Sequence, residues 1–526
     1  MKRIVTALFT LLTACTLFAG SFKGEAKLVV LHTNDTHGHA LQFANTVENG
    51  GGAAARLTLV KDVRKNFDNV MVLDAGDVNT GRPESDMFDA EPDFIGMNEI
   101  GYDAMTLGNH EFDKPLNILE KQMKMAKFPF LCANIKKADG SFIARPYMIK
   151  EYKQGFKVAV LGLTTSETAT IGNPDIVKDL IITDEVEAAN QFIPMLKDSA
   201  DVIIALVHMG LYGEENGSMV LAKNVSGLDL IIDGHSHTLT PAPITAIDNG
   251  TYKIAPIVQA GQWGSYVGRA ELDLNNGRAK LAKWEAVPVN YNKKVKNAEG
   301  REEVKYFGNA WAEDKNLAAK LQPYLDKANA KLSEKIGVSA ATYENKLVRK
   351  QETEIGNLVC DAMLWKMQTT TGADFALNNG GGIRTFLPEG DITLKHIFEV
   401  LPFDNTLATA TLKGSDVIKL FEYIGNIENG KGAFPQVSGV TFTINYASKS
   451  VSDILINGQP IDKSKEYRIV TNNYLMSGGD GYVIFKNAIR TYDSSIMQRD
   501  VLSDYIKNKL SGEVRAKIDG RITINQ

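Results

Sequence analysis

Three cysteines in 526 residues are too few for a disulfide framework. Cys15, Cys132 and Cys360 lie far apart in the chain, and the latter two read as buried free thiols. Positive charge is not in excess either: 58 Lys and Arg against 63 Asp and Glu leave a net charge of −5. That balance argues against a nucleic-acid polymer as partner, because such a partner would want clustered Lys and Arg. Small anions remain open, since a metal or a few local arginines can override a mildly acidic average. Internal repeats and low-complexity tracts are missing, and no stretch beyond the N-terminal segment is apolar and long enough to cross a bilayer. What is left is an ordinary globular composition with room for two, even three, folding units.

The first residues read as an export signal. Lys2 and Arg3 precede an apolar run at 4–19 that is short for a membrane span. Leu12-Thr13-Ala14-Cys15 looks like a lipoprotein cleavage box, which would remove residues 1–14 and leave a lipid on Cys15. Against it, the segment after the cysteine stays apolar, whereas a lipid-anchored tether is usually polar. Ordinary cleavage near Gly20 or Ser21, for a signal of residues 1–21, is the competing reading. Both place the mature protein outside the inner membrane, periplasmic or lipid-anchored at the cell envelope.

From residue 27 to about 261 one pattern recurs: a short, β-branched apolar run, then a loop rich in Gly, Asp, Asn or His. The runs at 27–31, 70–73, 104–107, 202–207 and 228–232 have the length of buried strands. Segments 53–65 and 186–197 have helical spacing. This predicts an α/β layered domain with its ligands beyond the carboxyl ends of the strands. Farther on, Leu317, Leu321, Leu325, Ala328, Leu332 and Ile336 make one apolar stripe, which predicts a connecting helix over 317–337 stopped by Gly337. Beyond it a second α/β unit carries two Gly-rich loops, around Gly380-Gly381-Gly382 and Gly478-Gly479-Asp480-Gly481.

Seven of the eight histidines precede residue 240. Five of them, His37, His110, His208, His235 and His237, end strands within short polar motifs. With Asp77 and Asn109 they form a set of imidazole, carboxylate and amide groups without thiolate, which suits Mn, Fe, Co, Ni or Zn. One such histidine alone would be an ordinary loop residue; five in one domain are hard to explain as packing. Two metals about 3.5–4 Å apart need a bridging carboxylate, and Asp77 is the natural candidate. His32 and His39 read as structural or supporting.

The order Asp-x-His, Gly-Asp, Gly-Asn-His-Glu, His, Gly-His-x-His resembles the calcineurin-like metallophosphoesterases. More closely, the run from Tyr102 through Gly108-Asn109-His110-Glu111-Phe112-Asp113 resembles the signature of the 5′-nucleotidase family. The resemblance implies a four-layer α/β/β/α metal domain at 27–316, the connecting helix, and a C-terminal α/β substrate-binding domain at 338–526. It implies Asp35, His37, Asp77 and His237 on one metal and Asp77, Asn109, His208 and His235 on the other. His110 and Asp113 match the catalytic pair. In the second domain Arg349, Asn379 and Arg384 match groups that grip phosphate. Phe403 and Tyr474 match two aromatics that sandwich a nucleobase, and Asp480 matches an acceptor of ribose hydroxyls. The family usually has Phe where this chain has Tyr474.

The expectation is an exported nucleotidase with two divalent metal ions (Zn, Mn or Co), acting on nucleoside 5′-monophosphates and extending to diphosphates or UDP-sugars. Its partner is a nucleotide, membrane contact is limited to a lipid on Cys15, and a monomer is expected. A 2′,3′-cyclic nucleotide phosphodiesterase with 3′-nucleotidase activity shares the metal core and stays as the enzymatic alternative. A non-catalytic surface nucleotide-binding or adhesive protein is the other, and the unbroken ligand set argues against it.

Overall fold

The computed structural model describes residues 22–525 apart from 45–47, 172–173, 215, 248–249, 251, 297–300 and 404. The expected export segment and Cys15 lie outside the described residues.

The first domain is two six-stranded sheets packed face to face. In the first, Glu25–Thr33, Val70–Asp74, Ala104–Thr106 and Phe130–Leu131 run parallel, and Tyr266–Asn275 and Arg278–Pro288 extend it antiparallel. In the second, Lys157–Thr164, Val202–His208, Leu230–Ile232 and Tyr252–Val258 run parallel, flanked by the antiparallel edges Tyr147–Glu151 and Ile244–Ile247. Period-two alternation divides each strand between two cores. Leu28 and Val30 pack between the sheets, while Val29 and Leu31 pack against helices on the outer face. The helices Ala53–Asn66 and Glu91–Ile100 cover the first sheet, and Glu185–Lys197 covers the second. The four-layer α/β/β/α arrangement expected from sequence is therefore present. The two sheets approach closely at Gly162, where an added Cβ would collide with Leu131. Cys132 and Cys360 are both buried and free.

The connecting helix is real but shorter than its apolar stripe. Asp314 caps it by accepting from the amides of Asn316 and Leu317, and it runs Lys315–Leu332. Leu317 and Leu321 join the core of the first domain. The expected extension to 337 is incorrect. Lys335–Ser339 is a strand, paired with Gly390–Thr393 and Glu513–Val514, and Ile336 belongs to the core of the second domain. Gly337 serves that packing rather than a helix stop: a Cβ there would lie 2.7 Å from the Gly512 carbonyl. A helical stripe and a half-buried strand can both claim Ile336, so the stripe ran across the boundary.

In the second domain a five-stranded mixed sheet is ordered Pro435–Ser438, Phe375–Asn379, Glu466–Asn472, Thr406–Lys413, Arg490–Met497. Helix Glu354–Thr371 packs in a core on one side of this sheet, and Gly414–Gly425 in a core on the other.

Candidate metal centre and substrate face

The expected ligands stand on the loops that leave the carboxyl ends of both sheets. Asp35 and His37 follow Glu25–Thr33, Asp77 follows Val70–Asp74, and Asn109 follows Ala104–Thr106. His208 ends Val202–His208, and His235 and His237 follow Leu230–Ile232. Three groups of side chains bring ligand atoms within 4.8 Å of one another: Asp35, His37 and His237; His37, Asp77 and His110; Asp77, His208 and His235. The first is one expected metal set without Asp77, the last is the other without Asn109, and Asp77 is common to the second and third.

Hydrogen bonds orient the rings for this purpose. His37 Nδ1 faces the carbonyls of Asn79 and Thr80 at 3.1 and 3.0 Å, so Nδ1 carries the proton and Nε2 presents its lone pair. That Nε2 lies 3.0 Å from His237 Nε2 and 3.9 Å from both Asp35 and Asp77 carboxylate oxygens. His208 Nδ1 likewise donates to the Ala75 carbonyl at 2.7 Å, and its Nε2 sits 3.0 Å from Asp77 Oδ2 without hydrogen-bond geometry. Asn109 Oδ1 is buried with no hydrogen-bond partner. Buried polar atoms left unsatisfied are costly, and these converge on one spot with nitrogen and oxygen donors. The residues fit divalent cations. Burial drives the Asp35 carboxyl up, whereas Asp77, though buried too, is held well below the ordinary carboxylate range by His208, His110 and His37.

The backbone is bent to make this possible. Asp35, His37, Asp77, His235 and His237 all have φ between +46° and +74°. Left-handed conformations cost a non-Gly residue roughly 1–3 kcal/mol each and persist only where the surroundings enforce them. The enforcement comes from buried acceptors. Glu111 takes the amides of Gly108 and Asp77 on Oε2, at 2.6 and 2.9 Å, and those of Val78 and Asn79 on Oε1, at 2.9 and 3.2 Å. Asp233 Oδ1 takes the amides of Met209, Gly210 and Gly234 at 3.0, 3.1 and 2.8 Å. Each carboxylate ties two ligand loops together.

His110 stands beside this cluster. Its amide donates to Asp77 Oδ1 at 2.9 Å and its Nδ1 bonds Asp113 Oδ2 at 2.7 Å, with Thr80 Oγ1 donating to the same oxygen. Burial opposes a charge on the ring, yet Asp113, Asp77 and Asp493 outweigh it and hold the imidazole well above its ordinary value. His32 and His39 stay out of the site. His32 is buried against Trp284, while His39 stacks on Trp263 and donates to the carbonyls of Thr36 and His37.

On the second domain, Phe403 and Tyr474 are 47% and 46% exposed, unusual for aromatics that serve only a core. The Arg384 guanidinium lies 5.7 Å from the centre of the Phe403 ring. Asn379 Nδ2 donates to Asp480 Oδ2 at 2.8 Å, and Tyr474 Oη bonds Asp480 Oδ1 at 3.1 Å. Arg349 lies in the turn packed on the Gly380 loop, where an added Gly380 Cβ would collide with the Val348 carbonyl. Asn379, Tyr474 and Asp480 thus form one hydrogen-bonded group, and Arg384 and Phe403 form a cation–π pair beside it.

Two residues with no motif join the domains. Arg499, 3% exposed, stacks over Phe398 and donates to the carbonyls of Phe403 and, across the domain boundary, Gly81, at 3.3 and 3.2 Å. Asp493, from Arg490–Met497, lies close enough to His110 and Asp113 to feel their charge. Sequence spacing carries no signal for either, because both act across a domain contact. Glu111 and Asp233 did have one: each sits inside a ligand motif.

A calcineurin-like phosphoesterase model matches residues 28–239, and a 5′-nucleotidase C-terminal domain model matches 335–487. Protein UshA of Yersinia enterocolitica is 38% identical over 91% of this chain and 90% of its own. The chain belongs to the 5′-nucleotidase family. A family 5′-nucleotidase of Vibrio parahaemolyticus is 36% identical over 92% of this chain and 89% of its own. The structure of a 5′-nucleotidase precursor from Thermus thermophilus matches with a TM-score of 0.62 and 30% identity, covering 95% of this chain and 99% of that one. This member of the family is a metal-dependent phosphoester hydrolase.

Exchanging Glu111 for Gln touches no metal ligand but puts an amide donor against backbone donors. Groups that orient ligands typically contribute about 10–100-fold to metal affinity. Glu111→Gln should weaken binding of Mn or Zn by that factor in a calorimetric titration; wild-type affinity would show that the hub does not position the loops.

Proposed function

We propose that this 5′-nucleotidase family member hydrolyses nucleoside 5′-monophosphates to nucleoside and phosphate with two divalent ions, outside the inner membrane. The observation that carries the reading is the pair of ligand groups, Asp35–His37–His237 and Asp77–His208–His235, beside the His110–Asp113 pair. When bound, the ions activate water and neutralise the phosphoryl oxygens. Asn109, with its orphaned carbonyl oxygen, completes the second set.

His110 has Nδ1 committed to Asp113, so Nε2 is the atom left to stabilise charge on the transferred phosphoryl group and assist the leaving oxygen. Asp113 orients the ring and is itself held by Thr80. Arg349, Asn379 and Arg384 hold the phosphate, Phe403 and Tyr474 the base, and Asp480 the ribose. Diphosphates and UDP-sugars are further substrates in this reading, supported by the family resemblance and the open aromatic pair. The native ions are Zn, Mn or Co, the protein acts as a monomer, and the N-terminal segment directs export, with or without a lipid on Cys15.

Three outcomes test this. Phosphate release from AMP, ADP, UDP-glucose and 2′,3′-cyclic AMP should favour AMP, vanish on strong chelation, and return with Mn, Co or Zn. Activity surviving in metal-stripped protein would sink the metal mechanism, and preference for the cyclic ester would favour the phosphodiesterase alternative.

His110→Ala should keep near-wild-type metal content while turnover falls by about two to four orders of magnitude. If metal content collapses too, His110 is a ligand.

Phe403→Ala should lower kcat/KM for AMP by roughly five- to a hundred-and-fifty-fold, since base stacking on an aromatic contributes about 1–3 kcal/mol. Ribose 5-phosphate should lose less, whereas Arg384→Ala should damage both. Equal losses on changing Phe403 would make that ring mere packing.

A further inference from the structure

Asp480 is held at every polar atom it has. Its amide donates to Tyr474 Oη at 3.1 Å, and the same hydroxyl lies 3.1 Å from its Oδ1. Asn379 donates to its Oδ2, and the Tyr423 hydroxyl donates to its carbonyl. The Asn379 amide is itself fixed in that sense, because Asn472 Nδ2 donates to Asn379 Oδ1 at 3.1 Å. Asp480 adopts φ +51°, a left-handed conformation that needs such restraint. Gly479 makes the lock possible: a Cβ there would stand 2.6 Å from the Tyr474 ring.

Tyr474 therefore does two things. Its exposed face offers a stacking platform, and its hydroxyl accepts from the main chain and donates to the carboxylate of one neighbour. Partial burial and the Asp480 charge both raise the phenol above its ordinary value, which keeps its proton available for donation. Each carboxylate oxygen has two lone pairs, and among the described residues each takes a single hydrogen bond. One acceptor site per oxygen is left, at the edge of the platform, and two adjacent acceptors suit a vicinal diol.

We propose that the Tyr474 hydroxyl is a specificity-determining group that locks Asp480 to receive both ribose hydroxyls, so that ribonucleotides are selected over deoxyribonucleotides. The proposal rests on the nucleotidase reading above. A site built to bond a substrate hydroxyl discriminates against the analogue lacking it because its polar group is left unpaired, and the discrimination requires that group to be fixed. Phe at this position would stack equally well and leave Asp480 held by Asn379 alone at its side chain.

The test is Tyr474→Phe, with kcat/KM measured for AMP, 2′-deoxy-AMP, 3′-deoxy-AMP and ribose 5-phosphate. The phenol's bonds are exposed to solvent, and the folded state should survive; circular dichroism checks this. The ratio of AMP to either deoxynucleotide should fall about three- to ten-fold, the span of one modest hydrogen bond, mainly through KM for AMP. Ribose 5-phosphate keeps both hydroxyls and should lose with AMP, the reverse of its behaviour with Phe403→Ala. An unchanged ratio, or equal losses on all four substrates, overturns the lock. A wild-type enzyme that prefers ribose 5-phosphate to AMP overturns the nucleotide reading and the lock with it, and is recognised without any variant.

Discussion

Four backbone amides end on one buried side chain, and the metal centre hangs from that fact. Glu111 receives Gly108, Asp77, Val78 and Asn79. Remove the carboxylate and the loop bearing Asp77 loses three amide bonds that hold it against the loop bearing Asn109 and His110. The arrangement is expensive in isolation. Burial raises the Glu111 carboxyl, the nearby Asp77 adds to that, and the amides it accepts offset only part of the rise. Amide dipoles are fixed by the main chain and cost no reorganisation, which makes them suitable counter-charges inside a protein.

The same solution recurs on the opposite sheet, where Asp233 gathers the loops of His208 and His235. Both candidate ligand groups, Asp35–His37–His237 and Asp77–His208–His235, draw side chains from both sheets. Their junction is made by hydrogen bonds between sheets: Asp35 accepts the His235 amide at 3.0 Å, and His208 donates to Ala75. Left-handed φ at five ligand positions is the local counterpart of this convergence. Side chains that would splay outward from an ordinary loop are turned inward, toward a common point.

Much of this was legible in the sequence. Short β-branched runs ending in Asp, Asn or His marked the strands and the edge where they terminate, because period and punctuation are local properties. The helix over 315–332 was legible too, and its end was not. Ile336 satisfied a helical stripe and a strand equally, and only pairing with Gly390–Thr393 decides between them. The candidate ligands that the structure gathers could be named from spacing and family resemblance, whereas Arg499 and Asp493 could not. Their significance arises from which surfaces of two domains meet, and no periodicity encodes that. Tyr474 lies between these cases. Its place in the chain was clear, while the two bonds its hydroxyl makes depend on a left-handed turn six residues away.

Arg499 has a consequence for evolution as well as for mechanism. Its bonds to Gly81, across the domain boundary, and to Phe403, within its own domain, end on carbonyl oxygens. A carbonyl is present whatever the side chain, so these two bonds gauge the spacing between the loop at Gly81 and the loop at Phe403 through the main chain. Residues at 81 and 403 can drift as substrates change without disturbing that gauge, provided the backbone path is kept. The guanidinium that reads it is nearly excluded from water. Parting the two domains must then hydrate a cation that the joined state keeps dry, which makes separation a wetting event rather than a free swing.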